Sequence, residues 1–305
     1  VRILSRRALL VWLAGGLLGA SSASGQLPAF PALLTGFRRT AAHGRRYRVK
    51  AVVSVAGIRI FSRDGVGAGY AAAELGEAPG GSCLALQFAA GSWPERAGGL
   101  NRFGILREAL AERSGDHAAA FAGFITSTKE ESWQDAREAL RHSEGGVPVT
   151  LAWGHTSGGR TYAQTAHAEL PAGAGWAAAE DALEDLLHRS ASRPLEELPA
   201  AAAGGFLVAM YRAGLAVEHA FRSPFLHNGK LYELRTRRKG EASVELHGEI
   251  RNEKGQLTAQ FRARYAPGDT SGLPVEFDYQ ARSFLRLTVY ESPEPAAPVP
   301  VLLAG

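Results

Sequence analysis

Nine histidines offer the first route to chemistry, but none falls in HExxH or another ligand spacing. His155 and His167 flank one expected hairpin, where they would face one another as a metal-binding or proton-transfer pair. His247 alternates with acids, as a solvated outer-face residue does. The segment Gly154-His155-Thr156-Ser157-Gly158 places Thr156, not serine, where a G-x-S-x-G nucleophile elbow needs its nucleophile. Ser157 beside two glycines is therefore a turn residue. Glu130-Glu131, Glu180-Asp181 and Glu196-Glu197 are acidic pairs at expected helix starts or in loops. Glycoside hydrolysis would need such carboxylates across a groove. Cys83 is the only cysteine, which excludes an intramolecular disulfide, a CxxC redox or haem motif and a cysteine zinc site. Gly65-Val66-Gly67-Ala68-Gly69 lacks the dinucleotide-binding spacing, and no P-loop, EF-hand or DNA-binding motif occurs. No catalytic, cofactor-binding or metal-binding residue is assigned, and no cofactor is implied.

Charge and the first residues bear on where such a chain works. Arg2, Arg6 and Arg7 precede an apolar run, Ala8–Leu18, and small residues through Gly25. That is the pattern of a cleaved secretory signal over 1–25. Eleven apolar or glycine positions are too few to span a bilayer, which takes roughly 20. Ser5-Arg6-Arg7-Ala8-Leu9-Leu10 resembles the twin-arginine variant of the signal, the general secretory route being the alternative. The expected location is periplasmic or secreted, with no transmembrane segment in the mature chain. The signal carries three arginines and no acid, which takes the net charge from +4 to +1. The basic isoelectric point is thus no argument for a nucleic-acid partner.

The elements that would position any site are mainly strands. Residues 26–44 read as a linker and 45–291 as one domain. Tyr47, Val49, Ala51, Val53 and Val55 alternate with Arg46, Arg48 and Lys50. At Ala56-Gly57 the apolar parity changes to Ile58 and Ile60, as a two-residue hairpin loop requires. The glycines after Gly65 mark a bulge or bend before a third strand ending near Leu75. Cys83–Ala89 reads as a strand, with Cys83 a small packed residue.

The middle, 95–200, changes character and reads as a helix-containing insertion. Phe103, Leu106 and Leu110 recur at helical spacing behind Asn101 as a cap. A strand-like run comes next at Phe121–Thr126. Ser132-Trp133-Gln134-Asp135 has capping-box form, ahead of Ala136, Ala139 and Leu140. Val149–Trp153 and Tyr162–Ala168 form a hairpin. Trp176, Ala179, Leu183, Leu186 and Leu187 make the stripe of a further helix. Ala200–Ala216 leans to helix because of its alanines, although Gly204-Gly205 weaken it, with strand resuming near Val217.

From Leu231 to Tyr290 alternation dominates. Asn228-Gly229 is a strong hairpin signal, and alternating runs start at Val244 and at Leu257. From Val275 to Val289 the inward parity never breaks. Fifteen residues would stretch to about 50 Å, far beyond a usual strand of 5–6 residues. Either one long strand bends at Ala281 and Ser283, or two strands meet at an odd-length loop. Residues 292–305 form a Pro-rich, disordered tail. The expected class is α+β: a large curved antiparallel sheet, half-barrel-like, with helices inserted in the middle.

Such a sheet has an apolar concave face that helices must cover or a ligand must fill. Its candidate ligand wall is Val244, Leu246, Leu257, Phe261, Phe277, Tyr279, Leu285 and Leu287. Tyr47-Arg48-Val49, Ala56-Gly57-Ile58, Ser271-Gly272-Leu273-Pro274-Val275 and Phe277 to Tyr290 resemble a family of exported bacterial proteins of unknown function. The resemblance implies a periplasmic β half-barrel similar to lipoprotein-carrier folds, and brings no catalytic residues. The resulting expectation is an exported non-enzymatic protein that binds a lipid, another apolar small molecule or a cell-envelope protein. An exported hydrolase without a recognisable motif, and a structural or envelope-assembly factor, are the alternatives.

Overall fold

The computed structural model describes residues 38–55, 58–78, 81–92, 96, 103–113, 119–128, 147–157, 160–170, 196–198, 204–227, 230–239, 245–282 and 285–292. Among these residues the strands are β1 (Arg38–Val55), β2 (Ile58–Ala78), β3 (Gly81–Ser92), β4 (Phe103–Arg113), β5 (Ala119–Thr128), β6 (Val147–Ser157) and β7 (Arg160–Leu170). They continue with β8 (Glu196–Leu198), β9 (Ala220–His227), β10 (Lys230–Arg238), β11 (Glu245–Asn252), β12 (Leu257–Arg264), β13 (Glu276–Arg282) and β14 (Leu285–Glu291). One helix, α1 (Phe206–Leu215), separates β8 from β9. All the strands join a single sheet in the order β8-β7-β6-β5-β4-β3-β2-β1-β14-β13-β12-β11-β10-β9. Every neighbouring pair is antiparallel, and the first and last of the described strands meet near its centre.

The local rules explain the strands well. Tyr47, Val49 and Ala51 are buried on one face of β1. Opposite them across β14 lie Glu291, Val289 and Leu287. The expected hairpin forms, with Val55 paired to Ile58 around 56–57. The glycine-rich segment after Gly65 does not open a new strand: β2 runs unbroken for 21 residues. Gly65 takes φ +64°, and the register steps from Ala51↔Arg63 to Val49↔Gly67 across it. A bulge with a left-handed glycine bends the strand without ending it. β1 itself starts at Arg38, inside the stretch expected to be a linker.

The unbroken parity from Val275 to Val289 comes from two strands, not one long bent strand. Gln280 pairs with Arg286, and Arg282 with Leu285. Ala281 is the extra residue of a bulge, and 283–284 connect the strands. A two-residue connection alone would reverse parity; the bulged residue restores it.

The α+β expectation is corrected toward β. Phe103–Arg113, expected as a helix, is β4, paired along its length with β3 and β5. Leu106 and Leu110 fit a helical stripe and a strand face equally well, and two long ladders decided between them. The expected helices at Ser132–Leu140 and Trp176–Arg189 lie outside the described residues. The β5 strand and the β6–β7 hairpin form where the sequence placed them. The ambiguous Ala200–Ala216 segment resolves into α1, which begins just after its two glycines.

Two core clusters sit on the concave face, one on each side of α1. Val208 and Tyr211 join Tyr47, Val49, Leu86 and Leu110. Ala209, Met210 and Ala213 join Phe225, Leu234, Leu246 and Phe261. A helix apolar on both flanks must be buried on both. Past β12, the loop to β13 folds back over β1: the Tyr47 hydroxyl donates to the Pro274 carbonyl at 2.8 Å. Arg45 donates to the Leu273 carbonyl at 3.0 Å and pairs with Asp269 and Glu291.

Candidate functional site

The candidate site is the concave face with α1 seated in it. Two glycines make the seat. Gly204 has φ +139°, a backbone that side chains rarely adopt. Its carbonyl accepts from the Leu226 amide at 3.0 Å, which ties the entry of α1 to edge strand β9. Gly205 is the N-cap and has no side chain to accept the first helical amides.

That role falls to Glu108 on β4. One carboxylate oxygen accepts the Leu207 amide at 3.0 Å and the other the Val208 amide at 2.9 Å. The backbone of Phe206 also contributes a hydrogen bond. A carboxylate there meets unsatisfied N–H groups and the positive end of the helix dipole. Glu108 stands on the inner face in register with Leu86 of β3 and Gly123 of β5. It is 3% exposed, and no cation faces it among its described partners. Burial pushes its carboxyl up to about 7, against the lowering effect of the backbone amides. A Cβ on Gly205 would collide with the carboxylate, so glycine is what lets it approach.

The other end of α1 is held by the opposite charge. Arg238, at the end of β10, donates to the Ala216 carbonyl through Nε at 3.1 Å and to the Gly214 carbonyl at 3.2 Å. A second guanidinium hydrogen also reaches Ala216. A cation at the last turn suits the negative end of the dipole. Gly214 in turn leaves room for the Tyr265 ring, which a Cβ would meet at 2.6 Å.

The expected wall is only partly gathered at this site. Leu246 and Phe261 are fully packed within the α1 cluster. Phe277, Tyr279 and Leu287 are half-buried, with Phe277 tilted against Phe261 at a centroid distance of 5.2 Å and stacked on Tyr279 at 6.3 Å. Leu257, by contrast, is 47% exposed at the start of β12. Val244 lies outside the described residues. Leu285 is placed only by its backbone, opposite Val53.

The remaining candidates do not converge. His155 pairs with Tyr162 and His167 with Thr150, so the register sets the two histidines five positions apart along the β6–β7 ladder. His247 is exposed and hydrogen-bonded to Glu245 at 2.6 Å. Cys83 is buried, and burial pushes its thiol up to about 11, so it packs and does not react. Glu197 pairs with Arg160 at 3.0 Å in an exposed surface contact. Glu130-Glu131 and Glu180-Asp181 lie outside the described residues.

Glu108 and Arg238 escaped sequence reasoning. The signal for Glu108 was an acid between Leu106 and Leu110 on one strand face, and reading that stretch as a helix hid it. Arg238 follows Arg235 and Arg237 in a basic run of the sequence, and nothing local sets it apart. Chemically, the pair can hold a helix, and Glu108 can take up one proton. Among the described residues no helix is long and apolar enough to cross a membrane.

No protein family and no curated protein matches the chain. The chain is similar to the crystal structure of a β-barrel-like protein of a domain of unknown function, DUF1849, from Brucella abortus, at 9% identity. That similarity covers 81% of this chain and 96% of the other, with a TM-score of 0.43.

Proposed function

We propose that this is an exported, non-enzymatic protein that binds an apolar, lipid-like ligand on the concave face of its curved sheet. One observation carries the reading: α1 fills the centre of that face and leaves half-buried apolar side chains on both sides. Phe61, Phe88 and Leu287 flank it on the β1–β3 side, Tyr279 on the other, and Phe277 touches both clusters. Apolar surface left partly wet beside a sealed core is where a flexible chain gains burial energy, about 0.8 kcal/mol per methylene. The signal-like first 25 residues support export.

Native mass spectrometry of the purified full chain, followed by titration with a fluorescent fatty acid, tests the ligand. A co-purified lipid mass, or saturable binding that Tyr279→Asp weakens, is expected. A clean apo mass with no fatty-acid binding sinks the reading. Cell fractionation tests export, with recovery from the envelope or medium expected.

A second reading, an envelope-assembly factor, is favoured by the exposed end of β2, where Ile58 is 71% and Ile60 67% exposed. Apolar residues at a hairpin tip suit contact with a partner or bilayer. Co-sedimentation with anionic phospholipid vesicles that is abolished by Ile58→Asp with Ile60→Asp would favour it over ligand carriage. Equal recovery of both proteins in the supernatant would remove it.

A further inference from the structure

The two anchors of α1 come from distant parts of the sheet. Glu108 lies on β4, three strands from the centre on one side, and Arg238 on β10 toward the opposite edge. Outside α1, no strand among the described residues bridges these two arms directly, because β8 and β9 are the ends of the sheet order. The helix is therefore the tie that closes the concave face. It reaches β9 through Gly204, β4 through Glu108 and β10 through Arg238.

The two anchors differ in their surroundings: Arg238 is half-buried, and Glu108 is enclosed. Among the described residues, the neighbours of Glu108 are uncharged: Leu86 on β3, Gly123 on β5, Leu106 and Leu110 on its own strand, and the backbone of α1. The charged or titratable residues of its own strand are Arg107, Glu112 and Arg113, and those of the packed elements are Arg212 and Tyr211 on α1, Cys83 on β3, and Arg222 and His227 on β9. Among the described side chains, none contributes a charge interaction at Glu108. Once its proton leaves, an acid in that position has only the amides of α1 to compensate it among the described residues, and burial outweighs them.

We propose that α1 is a proton-linked latch over the concave face: a neutral Glu108 holds it shut, and ionisation of Glu108 favours its release. Released, α1 uncovers Leu246, Phe261, Tyr47 and Val49, the sealed part of the wall. Where the concave face binds an apolar ligand, as proposed above, the latch sets access to it; the latch itself does not depend on that reading. The direction is set by linkage. The closed state holds the proton more tightly, since its carboxyl is raised to about 7 from an ordinary 4.5. The hold is complete below that ordinary value and weakens as pH rises through about 7.

Hydrogen–deuterium exchange of the full chain, stripped of lipid, tests it. Protection of the α1 amides, corrected for intrinsic exchange, is expected to fall on the order of fiftyfold between pH 5 and pH 7.5. Strands β11 and β12 in the same sample serve as the internal reference and are expected to stay level. In Glu108→Gln, which keeps an acceptor and has no charge, the α1 protection is expected to be flat. Wild-type α1 tracking β11 and β12 at both pH values overturns the proposal, whether or not the variant folds. So does a pH dependence that survives in Glu108→Gln. A fatty acid failing to bind would leave this outcome untouched, and so separates the latch from the ligand.

Discussion

Glu108 on β4 and Arg238 on β10 hold opposite ends of the same helix, the acid at its first amides and the guanidinium at its last carbonyls. The sheet thereby supplies both caps that the helix sequence lacks. No side chain of α1 or of Gly205 caps the first turn, and no acid occurs within it. A helix of 10 residues is too short to persist alone in water, so packing and borrowed caps must sustain it.

Glu108→Ala is expected to strand two or three buried amides and to cost about 2–4 kcal/mol, seen as an earlier denaturant midpoint. Glu108→Gln is expected to behave differently with pH. Wild type loses a contribution of about 3 kcal/mol as pH rises from below the ordinary carboxylate value through about 7, while the amide variant does not. The two midpoints should therefore approach or cross between pH 5 and pH 8.

Arg238→Gln removes the charge at the helix C-terminus and shortens its reach to Ala216 and Gly214. A loss of about 1–2 kcal/mol is expected, measured by thermal unfolding. Arg235→Gln, the nearby surface arginine bonded to Glu233 at 2.6 Å, serves as the control and is expected to cost far less.

Gly248 lies under the Phe261 ring, and a Cβ there would overlap it. Gly248→Ala is expected to destabilise by about 1–3 kcal/mol through overpacking. Gly255, at φ +73° in a turn with open space around it, tests the alternative cause. Gly255→Ala is expected to lose only about 1 kcal/mol of backbone strain.

The loop between β12 and β13 is clasped to β1 by Arg45, whose side chain is 13% exposed, paired to Asp269 at 15%. Burial works against the Asp269 charge, but the Ser271 amide and hydroxyl and the Arg45 guanidinium outweigh it and hold the carboxyl below its ordinary value. Its contribution is present above that ordinary value, 3.8, and is lost as pH falls below it. Asp269→Asn is expected to cost about 2 kcal/mol at neutral pH and progressively less under acid, read from urea midpoints.

The Tyr265 hydroxyl is buried without a hydrogen-bond partner among the described residues. Tyr265→Phe is expected to leave the melting temperature unchanged or raise it by up to about 1 kcal/mol equivalent, because a desolvated hydroxyl is removed. A clear loss would mean that the hydroxyl has a partner.

Alternation, a local property of about five residues, was enough to place most of the strands, the Ala56-Gly57 hairpin and the bulge near Gly65. It was enough because burial of one sheet face forces period two, and glycine marks where the backbone must depart from it. Where two periods fit the same residues, as at Phe103–Leu110, sequence chose a helix, and only pairing with β3 and β5 made it β4. The unbroken parity after Val275 had two local solutions, and the β13–β14 register selected the bulged hairpin. Neither anchor of α1 could be read from the chain. Glu108 means nothing until the sheet curves far enough to bring β4 over the first turn of α1, and Arg238 until β10 ends beside its last. Those contacts join residues far apart in sequence, so they are set by the closure of the sheet and by no local pattern.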